Sequence, residues 1–221
     1  MSDARSEILN SIARALDGVP SGVGHGEFAA VPRDYRVSTE LADGSSQVLE
    51  ILIDRLEDYR AVVHRVSDES GIAQVVAAIF DDASRIVRPS GLPDGWLASM
   101  PASTQIVTDS KPDFLDPYEL DACDGVVTGC RVACADTGTI VLDGELDQGR
   151  RALTLVPDTH VCVVFASQVV HLIPGAVRIL ARNPDRPLTW ISGPSATSDI
   201  ELNRVEGVHG PRNLHVVLVS G

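Results

Sequence analysis

Lysine is nearly absent from this sequence: Lys111 stands alone beside 17 arginines, and the formal net charge is -13. A phosphate backbone is held by cations that neutralise it, so this balance speaks against nucleic acid as a partner. It also repels anionic small ligands at long range, and a site for one must supply its own cations or backbone N–H groups. Long apolar runs are missing too. The longest, such as residues 75–80 and 161–166, fall far short of the roughly 20 residues that cross a bilayer, so no membrane insertion is expected. Asp3, Arg5, Glu7, Arg14 and Asp17 break up the start of the chain, which predicts no secretory signal and a cytoplasmic location.

Cysteine is sparse. Cys123, Cys130, Cys134 and Cys162 read as free thiols in a cytoplasmic protein. The spacings among the first three match neither zinc pairs nor iron–sulfur runs, and no histidine lies close by, so no metal and no cluster is expected in this chain. Walker loops, Gly-x-Gly-x-x-Gly turns and Gly-x-Ser-x-Gly elbows do not occur, nor do internal repeats or low-complexity tracts.

What is present is a globular mixture, 44% hydrophobic and 22% charged over 221 residues. A chain of that length buries on the order of 70% of its unfolded surface and folds without staples. Residues 3–17 predict an amphipathic helix with Ile8, Leu9, Ile12 and Leu16 on one face. A Gly/Pro-punctuated stretch follows over residues 18–32. Residues 1–40 are therefore read as an appendage that packs on the core or on another subunit, which leaves a homo-oligomer open. Residues 41–221 form the main domain.

Helices and strands alternate from there. Val48, Ile51, Leu52 and Leu56 mark one helix, and Ile72, Val75, Val76, Ile79 and Phe80 a second, with Ser67 or Asp68 as its cap. Strands are expected over 61–66, 85–88, 105–108, 161–166, 188–191 and 214–219, and a helix starting at Pro174. Residues 139–143 and 152–156 read as a hairpin joined by 144–149. The alternation predicts an α/β fold, with helices on both faces of a mixed, mainly parallel sheet.

Candidate chemistry sits in loops of the C-terminal half. Thr137, Gly138 and Thr139 form a polar turn whose amides and hydroxyls suit a carboxylate or phosphate; an ordinary turn entering a strand reads equally from the same residues. Ser192, Gly193 and Ser195 follow a strand and precede a helix, an arrangement that offers N–H groups to an anion. Asp199 and Glu201 lie in the same stretch, where Ser198 and Glu201 also make a capping box. On a strand Arg150 and Arg151 would face opposite ways, and Arg150 beside Ala152 and Thr154 is preferred as the anion-facing one; two solvated surface arginines read equally from the same residues. His209, between glycines, has the chemistry of an acid, a base or a ligand donor. His160 and His215, at strand ends, read as structural.

The C-terminal half resembles the LUD-domain family, in its lactate-utilisation protein C branch. The matching text is Thr137-Gly-Thr-Ile-Val-Leu142, Gly149-Arg-Arg-Ala-Leu-Thr-Leu-Val-Pro-Asp158, Ile191-Ser-Gly-Pro-Ser195, Ser198-Asp-Ile-Glu201 and Gly207-Val-His-Gly-Pro-Arg212. Cys130 and Cys134 depart from the pattern expected there. The resemblance implies a three-layer α/β/α sandwich related to the sugar-phosphate isomerase and CoA-transferase group. It implies a part in oxidising L-lactate to pyruvate beside partner proteins that carry iron–sulfur clusters. This chain would itself lack a redox cofactor, and would bind a small carboxylate or organise its partners. The alternative is a stand-alone enzyme of the isomerase, CoA-transferase or folate-ligase type using the same anion pocket. The resemblance brings no catalytic residue with it.

Overall fold

A computed structural model describes residues 4–16, 30–32, 34–36, 39–192 and 210–221. The chain divides into two compact units, Met1–Tyr35 and Arg36–Gly221. The first contains helix α1 (Ala4–Leu16), within the predicted amphipathic span.

In the second unit, α2 (Ser46–Asp58) buries Val48, Leu49, Leu52, Ile53 and Leu56, a stripe at helical spacing. Arg60 closes it in a left-handed conformation, with φ 69°, and Ala61 N–H returns to the Leu56 carbonyl at 3.0 Å. Strand β1 (Val62–Val66) follows. Helix α3 (Ile72–Ile79) comes next, introduced by a 3₁₀ turn at Glu69–Gly71. Asp68 caps that turn, its carboxylate accepting from Ser70 N–H at 2.9 Å. Strands β2 (Arg85–Pro89) and β3 (Gln105–Asp109), helix α4 (Pro117–Asp121) and strand β4 (Gly125–Thr128) complete the first half.

Strands β5 (Val132–Cys134) and β6 (Thr139–Leu142) come next, then β7 (Thr159–Phe165) and β8 (Val169–Val170). Helix α5 (Ile173–Leu180) carries Pro174 in its first turn, as expected, and β9 (Thr189–Ile191) and β10 (Asn213–Val219) end the series. Six strands make a wholly parallel sheet in the order β1-β10-β7-β4-β2-β3. Its central strands are apolar on both faces. Cys162 and Val164 of β7 pack toward α2, while Val161 and Val163 pack toward α3 and Trp96. The α/β architecture is the one expected, with helices on either face of the parallel sheet.

The antiparallel pairing lies in a second sheet, in the order β8-β5-β6-β9. Ala133, Ile140 and Leu142 from this sheet join the core around α2, and α5 covers its other face through Ala176 and Leu180. The predicted hairpin of residues 139–143 with 152–156 does not form. Strand β6 pairs instead with β5 and β9, and Arg151–Thr154 is a 3₁₀ turn. Gly144 and Gly149 turn the chain away at φ 73° and 70°, and the Gln148 side chain takes the Asp143 N–H at 2.7 Å in place of a partner strand. Leu153, fully buried, holds the turn against Val87, Leu120 and Val126, with Ala152 and Val156 packed beside it. A five-residue apolar run does not distinguish that anchor from a strand. Strand β9, expected to complete the main sheet, belongs to the second.

Candidate functional site

In a parallel sheet every strand ends on one rim, and ligands of open α/β folds bind outside it. Here β2 ends at Pro89 and β3 at Asp109. The loop after β6, residues 143–150, is docked across this rim. Gly91 N–H donates to the Leu146 carbonyl at 2.8 Å, and Gly129 N–H to the Asp147 carbonyl at 3.0 Å. Both glycines are needed for the approach: a Cβ on Gly91 would stand 2.4 Å from that of Leu146, and one on Gly129 would stand 2.2 Å from the Asp147 carboxylate. At the loop's root, buried Asp143 lies 3.1 Å from Arg186 and 3.6 Å from Arg131, and Glu145 pairs with Arg186. Burial raises the Asp147 carboxyl above its ordinary pKa.

Between this loop, the segment after β3 and the start of β9 opens a cleft of about 710 Å³, lined by Lys111, Phe114, Leu146, Arg150, Arg151 and Thr189 among others. The Arg150 Nε and Nη2 atoms donate to the two carboxylate oxygens of Asp109 at 2.8 and 2.9 Å. Asp109 is almost wholly buried and also accepts from Leu115 N–H at 2.9 Å. The hydrogen bond to Asp109 raises the already high pKa of Arg150. Its guanidinium stacks 4.7 Å from the centre of the Phe114 ring and donates to the Leu115 carbonyl. Arg150 therefore ties the 3₁₀ turn to the loop after β3. Because that segment is a turn and not a strand, Arg150 and Arg151 line the same cleft, where a strand would have sent them to opposite faces. Among the described residues neither Arg151 nor Lys111 has a carboxylate partner.

A second polar group gathers at the other end of β6. Thr139 Oγ1 donates to Ser192 Oγ at 2.8 Å, and the Thr137 and Thr139 hydroxyls lie 2.7 Å apart. The Gly138 carbonyl accepts from the Tyr59 hydroxyl at 2.6 Å, and burial pushes that phenol's pKa up. Gly138 has φ 61°, and a Cβ there would meet that of Arg55 at 2.8 Å. These hydroxyls satisfy one another. Leu142 and Thr189, at the far end of the β6–β9 pair, line the cleft. By strand rise, Thr139 and Leu142 stand roughly 10 Å apart.

The sequence candidates thus fall into two places: Arg150 and Arg151 in the cleft, and Thr137, Gly138, Thr139 and Ser192 beyond the opposite strand end. Gly193, Ser195, Asp199, Glu201 and His209 lie outside the described residues. The structure adds Asp109, Lys111, Phe114 and Leu146 to the cleft. The polar run Asp109-Ser110-Lys111 closing a strand is the sequence signal for the first two, and Phe114 and Leu146 have none. The four cysteines are buried free thiols outside the cleft. Buried His160 meets the Thr128 hydroxyl at 2.7 Å, and His215 stacks on His64 with ring nitrogens 3.0 Å apart.

The LUD domain family matches residues 118–219. A lactate utilization protein C from Deinococcus radiodurans is 42% identical over 220 residues, which cover 99% of this chain and 96% of that protein. Another lactate utilization protein C, from Bacillus subtilis, is 35% identical over 100 residues, 42% of this chain and 41% of that protein. A crystal structure of a DUF162 family protein from Deinococcus radiodurans superposes with a TM-score of 0.68 at 38% identity, covering 81% of this chain and 99% of that one. A segment match over the half that supplies most of the cleft wall, together with a relative aligned from end to end, establishes that the chain belongs to the LUD-domain family, in the group of lactate utilization protein C.

Proposed function

We propose that this protein serves L-lactate utilisation in the cytoplasm as a component without a redox group of its own. It binds a small carboxylate in the rim cleft and works beside iron–sulfur proteins that carry the electrons of lactate oxidation to pyruvate. The names of its relatives support the lactate role. Among the described residues no helix is long and apolar enough to cross a membrane. The observation that carries the ligand reading is charge. On a chain of net charge -13, the cleft wall holds three cations, Lys111, Arg150 and Arg151, against two carboxylates, Asp109 and Glu145. Both carboxylates already pair with arginines, Asp109 with Arg150 and Glu145 with Arg186, so among the described residues Arg151 and Lys111 are left to receive an anion.

The test is thermal unfolding of the pure protein in L-lactate or pyruvate against chloride of equal ionic strength. A ligand that binds only the folded state at a hundred times its Kd stabilises by about 2.7 kcal/mol. The expected rise in Tm should vanish in the Arg151→Gln/Lys111→Gln double variant. An unchanged Tm in both acids, or a rise that survives the double substitution, would remove this cleft as the site. Isolation of the chain with a stoichiometric flavin or haem would contradict the non-redox role.

A further inference from the structure

We infer that the cleft takes a carboxylate much larger than lactate, an acid with an extended apolar tail. Its head group sits at Arg151 and Lys111, and its tail lies along Leu146, Phe114 and Pro187. This rests on the anion-cleft reading above and narrows its ligand class. Size is the first argument. At the roughly 30 Å³ that a water occupies in the liquid, a cleft of about 710 Å³ holds on the order of twenty waters, and lactate displaces only a few of them. Clefts of this volume enclose ligands several times larger than a three-carbon acid.

The second argument is the rim. Leu146 is 71% exposed and Phe114 43% exposed, two large apolar side chains held open at the cleft. Neither is placed by chance. Leu146 is fixed by its carbonyl's bond to Gly91 at a contact too close for any larger residue, and Phe114 is fixed by the stacked Arg150 guanidinium. An apolar tail laid against them removes that surface from water, which favours binding in proportion to the area covered. A head group alone would leave both side chains wet. The two carboxylates of the wall are held by arginines and do not oppose the acid.

The experiment compares L-lactate with 2-hydroxyoctanoate, which has the same head group and a longer tail, by calorimetry on the full chain. The long acid should bind at least about tenfold tighter, equivalent to roughly 1.4 kcal/mol. Leu146→Ser, an exposed change that leaves the core untouched, should narrow that gap severalfold. Because Lys111 is the chain's single lysine, its acetylation read by mass spectrometry gives an independent signal, and the long acid should slow it. Equal affinities for the two acids, or a gap unmoved by Leu146→Ser, would overturn the large-ligand assignment while leaving the anion cleft standing. Failure of both acids to bind would take down the anion reading itself.

Discussion

Lowering the pH from 7.5 to 5.0 should destabilise this protein through His160. The ring is wholly buried on β7, between Val126 of β4 and Leu214 of β10 in the sheet register, and Thr128 is its one polar partner. Among the described residues its Nδ1 has no hydrogen-bond partner. Burial without a counter-charge lowers its pKa from 6.5 to about 4. The unfolded chain therefore takes up the proton first. The stability held in the neutral ring is complete above pH 6.5 and drains as pH falls toward 4. The whole gap corresponds to about 3 kcal/mol, of which about 2 kcal/mol is lost by pH 5.0. His64 and His215, both lowered by burial and stacked on each other, add to the loss in the same direction. Asp147, raised by burial, works in the opposite direction. Urea unfolding at the two pH values should show the drop, and His160→Gln, which keeps a polar group for Thr128, should lose about 2 kcal/mol less between them. If the native chain and the variant lose equal amounts, the argument fails. It fails equally if the His160 ring signal in an NMR titration of the folded protein moves above pH 6.

Two substitutions probe how the site is held. Asp109→Ala leaves Arg150 without its bidentate partner and strips the Leu115 N–H of its acceptor. It should cost about 3 kcal/mol in chemical denaturation, at the low end for a buried pair because Arg150 is 31% exposed; a loss under about 1 kcal/mol would mean the tie is not needed. Gly138→Ala forces a side chain into a left-handed residue 2.8 Å from Arg55 Cβ and should lower stability by about 1–3 kcal/mol, whereas Gly95→Ala, with open space around it, should change Tm little; equal shifts would refute the steric account.

The parallel sheet was legible because its strands are short apolar runs separated by helical stripes, and tertiary packing did not contradict that pattern at β1, β2, β3, β7 or β10. The turn at Arg151–Thr154 was not legible, and the same residues read as half of a hairpin that does not form. Leu153 looks the same in sequence whether it is one rung of a strand or the main anchor of a turn. What decides between them is the Gln148 side chain closing the end of β6, a contact that alternation cannot register. The site follows the same logic. Arg150 and Arg151 were visible as adjacent cations, but their sharing of one cleft depends on the turn that replaced the strand. Thr137, Thr139 and Ser192 do meet, though only because β6 and β9 pair with Ile140 opposite Ile191, and they meet each other and not the arginines. Asp109 escaped notice because nothing in a five-residue edge strand says that its last carboxylate will be buried under an arginine 41 residues later. A cleft formed where two sheets and a docked loop converge is a property of register, and register is written in contacts between segments and not within any one of them.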